Sequence, residues 1–374
     1  MVKEWHIWDF PDNIMVYFKE EFRLRLYTKL KEICGTRDEI ARRLESNKET
    51  IKSSLFLGER DGHKSYTFIK IIKKIVEVFG LHLGNDFLDE MDKNVVAYRS
   101  WNGWSVTNPI LPIKESPQLY SVAFHLIGDG NASKRHSPFY CGPDKELIEE
   151  FERCLQIFGD VEVKRKIRLF NGLMVTYFPK AVADILSHIM RIRFTHPDSL
   201  PKHIFGAPLE CKAAAIRAFV DDEGCVSDNL CITQKSKDIL EQIKILLTSL
   251  GIETGKICNN KKGIHKLYIF SEDYEKYLKI IGFNHLRKRS LLENLIKERD
   301  FRREKFVSNQ IQYKILNILK ESYPLTKYEL ANKLNINYDS ALDALLNLRR
   351  KNLVIGKFVN ENKPYRWYPK ALNV

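Results

Sequence analysis

Two similar segments in the middle of the chain constrain its fold more than any other feature. VAFHLIGDG occupies residues 122–130 and IRAFVDDEG occupies residues 216–224. In each segment an apolar helical stretch ends in an acidic residue that is followed by glycine. The two closing glycines, Gly130 and Gly224, lie 94 residues apart. An internal repeat of this kind predicts two structurally related halves.

The chain after each segment follows the same order of helical and strand-like patterns. In the first half, VEVKRKIRLF and LMVTYF flank Asn171-Gly172, a dipeptide typical of tight hairpin turns. In the second half, a Lys-Gly turn at residues 262–263 separates KICNN from KLYIF. Residues 119–300 therefore predict an α+β fold in which the order αββαββα occurs twice.

The acids that end the two repeated helices are unfavourable unless a cation lies nearby. A helix C-terminus carries partial negative charge, so a carboxylate there is disfavoured by a few tenths to about 1 kcal/mol. Small residues four apart, such as Ala214 and Ala218, allow helices to approach closely, and that approach would bring Asp129 and Glu223 together. Paired carboxylates repel unless a cation compensates, and two Mg²⁺ ions would suit displacement at phosphorus. The alternative is that both acids only cap turns.

The two segments resemble the paired motifs of the LAGLIDADG homing endonuclease family. The resemblance covers residues 117–300 and includes LPKHIFGAPLECKAAAIRAFVDDEG at 200–224, which is similar to the family's approach to its second motif. It implies a single-chain, pseudo-twofold core whose sheets form a saddle over DNA. The family's metal-binding acid precedes the last glycine of each motif, which makes Asp129 and Glu223 the metal ligands and catalytic residues. Mg²⁺ is the implied cofactor and phosphodiester hydrolysis the implied reaction.

The resemblance also implies a basic residue near the metal ions, at the end of the last strand of each half. Lys180 fits that place in the first half and is the third catalytic candidate. The second half has Ser271-Glu272 at the matching place, which departs from the family's pattern, and Lys266 could replace the missing cation. Three functions stay open: a site-specific DNA endonuclease, a DNA-binding transcriptional regulator that does not cleave, and an RNA-binding splicing or processing factor.

Residues 1–96 predict an all-α domain with a helix-turn-helix. Thr36 with Glu39 fits a capping box, and a polar break at residues 45–48 separates two short apolar helices. Lys48 and Lys52 would then face nucleic acid from the second helix. The alternative is an ordinary helical hairpin in a bundle. Residues 97–118, with three prolines and two tryptophans, predict a linker.

Residues 301–374 predict a winged helix, in which three helices precede a basic, aromatic hairpin. Basic residues beside aromatic ones suit contact with a nucleic-acid backbone combined with stacking. The alternative is a winged helix that contacts protein. The candidate nucleic-acid contacts of this domain are Arg349, Arg350, Lys357, Lys363 and Arg366.

The charge of the chain favours a polyanionic partner. The formal net charge is +13, and residues 301–374 supply +8 of it from 14 basic and 6 acidic side chains. Double-stranded DNA is the expected partner and structured RNA the alternative. The basic or polar candidates on the sheets of the repeated core are Lys134, Arg135, Lys164, Lys166, Gln234, Lys235, Lys261 and Lys262. For Gln234 and Lys235 the alternative is a solvated strand end.

Other patterns narrow the class of protein. The seven cysteines form no CxxC pair, which indicates reduced thiols rather than a disulfide framework or a zinc finger. No apolar run reaches the length of a transmembrane helix, and no signal peptide is evident. We expect a cytoplasmic, nucleoid-associated monomer without membrane contact. It would be free-standing rather than an intein, and its frequent Lys, Glu and Ile suggest an archaeal thermophile.

Overall fold

The computed structural model describes residues 3–56, 66–101, 103–133, 137–167, 172–259, 263–305, 308–357 and 365–370. Side chains of residues 300–309 are outside this description. The chain forms two compact units, one of residues 1–292 and one of residues 293–374. Within the described ranges, no helix combines the length and the apolar character that crossing a bilayer requires.

The helices and strands are numbered in chain order. The helices are α1 Glu20–Cys34, α2 Arg37–Arg43, α3 Lys48–Ile51, α4 Ile69–Leu83, α5 Asn85–Lys93, α6 Pro117–Gly128, α7 Lys145–Leu155, α8 Lys180–Met190, α9 Leu209–Glu223, α10 Lys237–Ser249, α11 Tyr274–Ile280, α12 Leu286–Lys305, α13 Ser308–Glu321, α14 Lys327–Leu334 and α15 Tyr338–Arg350. The strands are β1 Glu4–Trp5, β2 Ile14–Phe18, β3 Thr67–Phe68, β4 Val95–Ser100, β5 Val106–Thr107, β6 Ile113–Lys114, β7 Gly130–Asn131, β8 Phe139–Gly142, β9 Lys164–Ile167, β10 Met174–Tyr177, β11 Gly224–Val226, β12 Leu230–Gln234, β13 Cys258–Asn259, β14 His265–Tyr268, β15 Leu325–Thr326, β16 Val354–Lys357 and β17 Arg366–Pro369.

The repeated core of the first unit has the predicted order of elements. Each half runs helix, two strands, helix, two strands, helix, from α6 to α8 and from α9 to α11. The four strands of the first half pair in the order β7-β8-β10-β9, and those of the second half in the equivalent order β11-β12-β14-β13. All the pairs are antiparallel. The predicted α+β fold class of the core is therefore confirmed.

The N-terminal region differs from the all-α prediction. Helices α1 to α5 are present, but a four-stranded antiparallel sheet of order β3-β2-β4-β5 runs through the same region. Its central pair joins Ile14 to Ser100. The apolar run of β2 is compatible with either a strand or a buried helix, and its partner lies about eighty residues later in the sequence. Local patterns therefore did not reveal the pairing.

Residues 97–118, predicted as a linker, contribute β5, β6 and most of β4, and they contact the first repeat. The hydroxyl of Tyr98 donates to the carbonyl of Phe158 at 3.0 Å, and that of Ser100 donates to Asp184 at 2.7 Å. The N-terminal sheet is therefore anchored on the first half of the core.

After α12, which spans residues of both units, the described residues of the second unit form three helices and a small sheet. Its elements follow the order α13, β15, α14, α15, β16, β17, and the strands pair antiparallel in the order β15-β17-β16. Thr326 and Glu329 form a capping box at the start of α14. The core of the unit is a cluster of apolar side chains around Ile315, Leu345 and the buried Trp367.

Candidate functional site

Helices α6 and α9 pack against each other and bring the two repeated motifs together. Ala123 on α6 is buried, as are Ala214 and Ala218 on α9. At Gly128 the approach is so close that an added Cβ would lie 2.7 Å from Oδ2 of Asp222. The expected pairing of these helices is thus confirmed, and small residues make it possible.

The glycine after each acid lets the chain turn back beside its own helix. A Cβ at Gly130 would lie 2.4 Å from Cα of Leu126, and one at Gly224 would lie 2.4 Å from the carbonyl oxygen of Val220. In both repeats the obstructing residue is four positions earlier, one helical turn back. Asp129 and Glu223 therefore leave their helices at equivalent points and in equivalent surroundings.

Asp129 and Glu223 are held in an environment that disfavours their charged forms. Asp129 remains open to solvent on one side, and Glu223 is half-buried. Desolvation by the surrounding protein, with help from Asp222, raises the pKa of Asp129 to about 6. Burial raises the pKa of Glu223 to about 7, and the charges of Asp129 and Asp222 add to the rise. The carboxylates of the two repeats therefore repel each other across the helix interface.

Asp222 supplies a third carboxylate, and both of its oxygens have partners. The hydroxyl of Tyr140 donates to Oδ1 at 2.7 Å, and Nδ1 of His125 lies 3.0 Å from Oδ2. The side chains of His125 and Asp222 are 0% and 1% exposed. Burial lowers the pKa of His125, but the adjacent Asp222 outweighs this effect and the net change is a rise. Asp222 of the second repeat is thus linked by hydrogen bonds to Tyr140 and His125 of the first repeat.

A second set of hydrogen bonds connects the end of α9 to the start of α12. The main-chain N–H groups of Asn284 and His285 donate to the carboxylate of Asp221 at 3.0 and 3.2 Å. The ammonium of Lys288 donates to the carbonyl oxygens of Val220, at 3.3 Å, and Asp221. These carbonyls belong to the last turn of α9, so Lys288 satisfies acceptors that the helix leaves unpaired.

Lys288 is also a cation whose charge acts on both motif acids. Its positive charge lowers the pKa of Asp129 and that of Glu223, against the larger effect of desolvation. Burial lowers the pKa of Lys288 itself. The sequence patterns did not indicate this role, because Lys288 follows Asp221 by 67 residues. The basic character of the segment after residue 285 was the available signal.

The predicted cation Lys180 and the candidate nucleic-acid contact Gln234 have definite partners. Lys180 is the first residue of α8, and its Nζ lies 3.3 Å from Oδ1 of Asp184. The side-chain amide of Gln234 donates to Oε1 of Glu223 at 3.0 Å. Lys266, the other candidate cation, lies in β14 opposite Thr233. Gln234 is therefore joined to a motif acid, and Lys180 to a carboxylate of its own helix.

The edge strand β9 of the first sheet presents the basic side chains Lys164 and Lys166. All four residues of β9 are exposed. Arg165 forms a bidentate ion pair with Glu152 of α7, so Lys164 and Lys166 lie on the opposite face of the strand. Lys235 is exposed just after β12. The candidates Lys134, Arg135, Lys261 and Lys262 lie outside the described residues.

The candidate contacts of the N-terminal region already have acidic partners. Nζ of Lys48 lies 2.5 Å from Asp38, and Nζ of Lys52 lies 3.9 Å from Glu49. Helix α3, the predicted recognition helix, spans four residues before a π-helical turn. Thr36 caps α2 as predicted, but the carboxylate of Glu39 binds Arg42 and Arg43. These contacts reduce the positive charge available to a ligand.

The second unit presents its basic candidates around α15 and the hairpin. Arg349 and Arg350 are exposed at the end of α15, and Lys357 is exposed on β16. Arg366 is half-buried on β17 and donates to the carbonyl of Pro324 at 3.2 Å. Lys363 lies outside the described residues.

The arrangement at the ends of α6 and α9 fits a divalent cation. Two carboxylates with raised pKa values, one from each repeat, face the same region, and Asp129 is open to solvent. Hard divalent cations prefer carboxylate oxygens, and a bound cation would offset the repulsion between the acids. Asp222 and Asp221 brace the site through Tyr140, His125 and the main chain before α12.

The paired helices, the acids at their ends and the two sheets of equal strand order can be compared with known protein families. The family model described as LAGLIDADG-like domain matches residues 210–282, which correspond to α9 through α11 of the second repeat. Residues 210–282 are thus similar to a LAGLIDADG-like domain, and the match includes the second of the two motifs, at residues 216–224.

Solved structures with similar folds include two homing endonucleases and a bacterial protein. I-DmoI in complex with DNA and Mn is 17% identical, with a TM-score of 0.36, and the match covers 44% of this chain and 96% of that one. I-WcaI bound to its DNA recognition sequence is 15% identical, with a TM-score of 0.33, and the match covers 44% of this chain and 81% of that one. Full-length DUF199/WhiA from Thermatoga maritima is 14% identical, with a TM-score of 0.36 and coverage of 63% and 90%. Comparison with curated protein sequences finds no match.

Proposed function

We propose that this protein is a divalent-metal-dependent endonuclease that hydrolyses phosphodiester bonds in double-stranded DNA. The observation that carries the proposal is the pair Asp129 and Glu223, delivered from two repeats to one place with raised pKa values. Buried or crowded carboxylates without a cation destabilise a fold, so their placement favours a functional role over a structural one.

Asp129 and Glu223 would hold the cation, with Mg²⁺ as the expected ion. When bound, the ion would lower the pKa of a water molecule and offset negative charge on the phosphate oxygens. Gln234 fixes the orientation of the Glu223 carboxylate through its 3.0 Å hydrogen bond. Lys288 holds the end of α9 and adds positive charge close to both acids. Tyr140 and His125 keep Asp222 in place between the repeats.

The basic side chains of the core and the second unit would position the nucleic acid. Lys164, Lys166 and Lys235 are exposed on or beside the two sheets, where they can reach phosphates. The order of elements in residues 293–374 is that of a winged helix, with Arg349, Arg350, Lys357 and Arg366 on α15 and the hairpin. Such contacts give affinity and register rather than sequence specificity.

The test is cleavage of DNA selected from a random duplex library by binding to the full chain. We expect the wild type to nick or cut the selected DNA with Mg²⁺ and to be inactive with EDTA. Asp129→Asn and Glu223→Gln should keep binding and lose cleavage. The matched control is Asp228→Asn, an exposed acid in the turn between β11 and β12, which should cleave normally. Tight binding by the wild type without cleavage in Mg²⁺ or Mn²⁺ would reject the endonuclease.

A regulator that binds DNA without cutting it is the second candidate. The specific observation in its favour is that Lys180, the cation implied by the motif pattern, is paired with Asp184 at 3.3 Å. Under this proposal the selected DNA is bound and left intact in every metal tested. Parallel binding measurements with folded RNA, at the same salt concentration, distinguish a DNA-binding from an RNA-binding protein.

A further inference from the structure

A second cluster of metal-ligating side chains is formed by residues that the proposed nuclease site does not use. It contains Asp144 and Glu146, at the start of α7, and His285, just before α12. One ligand atom of each residue lies within 4.8 Å of the others. The cluster therefore joins the first repeat to the segment that follows the second.

The distance between His285 and Asp144 is compatible with two ligands of one metal ion. Nε2 of His285 lies 3.3 Å from Oδ2 of Asp144. Two ligand atoms about 2.0–2.1 Å from a tetrahedral zinc ion are separated by about 3.4 Å. A ligand atom of Glu146 lies within 4.8 Å of those of Asp144 and His285, so Glu146 is the third candidate ligand.

His285 is held in place before any ion binds. Its side chain is 8% exposed, and its Nδ1 is buried without a hydrogen-bond partner among the described residues. Its main-chain N–H donates to Asp221 at 3.2 Å, which fixes the backbone at this position. The burial and the fixed backbone of His285 hold its Nε2 toward Asp144, so the imidazole is already oriented as a ligand.

Asp144 is oriented away from the role that its position predicts. It occupies the N-cap of α7, where an aspartate usually accepts a hydrogen bond from the main chain and so stabilises the helix by about 1 kcal/mol. Its side chain makes no such bond here. The carboxylate is instead directed at His285. Local helix stability therefore does not explain its orientation.

We propose that Asp144, Glu146 and His285 bind a zinc-type transition-metal ion that fastens the start of α12 to the first repeat. One imidazole and two carboxylates, with solvent completing the coordination, form a set that suits Zn²⁺, since Mg²⁺ and Ca²⁺ favour oxygen ligands alone. The two carboxylates outweigh the partial positive charge of the α7 N-terminus. Lys288 is nearby, but its ammonium is bonded to carbonyl oxygens at the end of α9.

The test is Zn²⁺ binding by the full chain after treatment with a chelator. Metal content after dialysis against one equivalent of Zn²⁺, and the visible absorption of the Co²⁺ form, report the site without any activity assay. We expect one tightly bound ion in the wild type and in the double variant Asp129→Asn/Glu223→Gln, which keeps the second cluster intact. That variant separates this site from the proposed nuclease site.

Two substitutions and a control test whether His285 and Glu146 are ligands of the ion. His285→Ala and Glu146→Gln should each weaken Zn²⁺ binding roughly tenfold or more. Glu146 is half-buried, and its replacement leaves the pair of His285 and Asp144 intact, so that variant should fold even if His285→Ala does not. His82→Ala, at an exposed histidine of α4, should bind as the wild type does. A wild type without bound Zn²⁺, or a folded Glu146→Gln with unchanged affinity, would overturn the proposal.

Discussion

At the scale of single residues, the two motif acids carry an electrostatic cost that the fold alone does not require. Glu223 is half-buried, is close to Asp129 and Asp222, and has a pKa raised to about 7 from an ordinary value of 4.5. A carboxyl with a raised pKa binds more protons in the folded than in the unfolded state between these two values. The free energy of unfolding therefore falls as the pH rises through this window.

We expect Glu223→Gln to stabilise the metal-free protein at pH 8. The neutral amide avoids the charged form that burial disfavours and can still meet Gln234, so the gain should be about 1–3 kcal/mol. Urea unfolding in EDTA at pH 4, 6 and 8 measures it, and the gain should shrink towards pH 4, where Glu223 is mostly protonated in both states. Asp228→Asn should show no such trend, and a variant less stable than the wild type at pH 8 would contradict the prediction.

Lys288 should influence the pKa values of Asp129 and Glu223 in addition to capping the end of α9. In Lys288→Met the positive charge that lowers the pKa of Asp129 and Glu223 is lost, so both values should rise further. Binding of Mn²⁺, followed by calorimetry between pH 6 and 9, should then require a higher pH than in the wild type. The variant should also lose about 1–3 kcal/mol, since carbonyls of α9 lose their donor.

Lys288→Arg is the conservative control, because it keeps the charge and a donor. It should restore the pH profile of Mn²⁺ binding at least in part. If Met and Arg at this position shift the profile equally, the charge of Lys288 does not act on the two acids.

At the scale of elements, the glycines that close the motifs decide whether each helix can pass into its strand. Gly130→Ala and Gly224→Ala each place a Cβ 2.4 Å from an atom one helical turn earlier, including backbone atoms. Since backbone cannot move as a side-chain tip can, we expect a loss of about 2–4 kcal/mol for each. Thermal or urea unfolding measures the loss.

Gly206→Ala is the matched control, since Gly206 is exposed and an added Cβ there meets nothing within 4 Å. It should leave stability nearly unchanged. If either motif variant is as stable as this control, the close turn after the acid is not a constraint on the fold.

The repeated core was predictable because its signals are local. The apolar helix, the acid and the glycine occur within nine residues, and they occur twice. The N-terminal sheet was not predictable in this way, since Met15 pairs with Arg99 and no local pattern selects that register. The functional residues divide in the same way. Asp129 and Glu223 belong to the motifs and were predictable. Lys288 and Asp144 were not, because their partners Asp221 and His285 lie 67 or more residues away in the sequence.

At the scale of the whole molecule, the charge of +13 is divided unequally between parts with different tasks. Residues 301–374 carry +8, and Arg349, Arg350 and Lys357 are exposed there. The core carries acids that a bound cation would neutralise, so its surface near Asp129 would be more positive with metal than its formal charge indicates. The N-terminal region holds Lys48 and Lys52 in ion pairs. Backbone binding by the second unit is the simplest use of this distribution.

The second unit should therefore dominate the salt dependence of DNA binding. Each phosphate contact that is lost lowers the slope of log affinity against log salt concentration by about 0.9. In the double variant Arg349→Ala/Arg350→Ala we expect the slope to fall by about 2, with weaker binding to every duplex sequence alike. Lys320→Ala, which removes a positive charge from an exposed position on α13, is the control. Arg349 and Arg350 belong to the second unit, whereas the proposed metal ligands Asp129 and Glu223 belong to the first. The double variant should therefore cleave at the wild-type rate when all of the DNA is bound by protein. An unchanged slope would assign the backbone contacts to the sheets of the core, where Lys164, Lys166 and Lys235 are the residues to replace next.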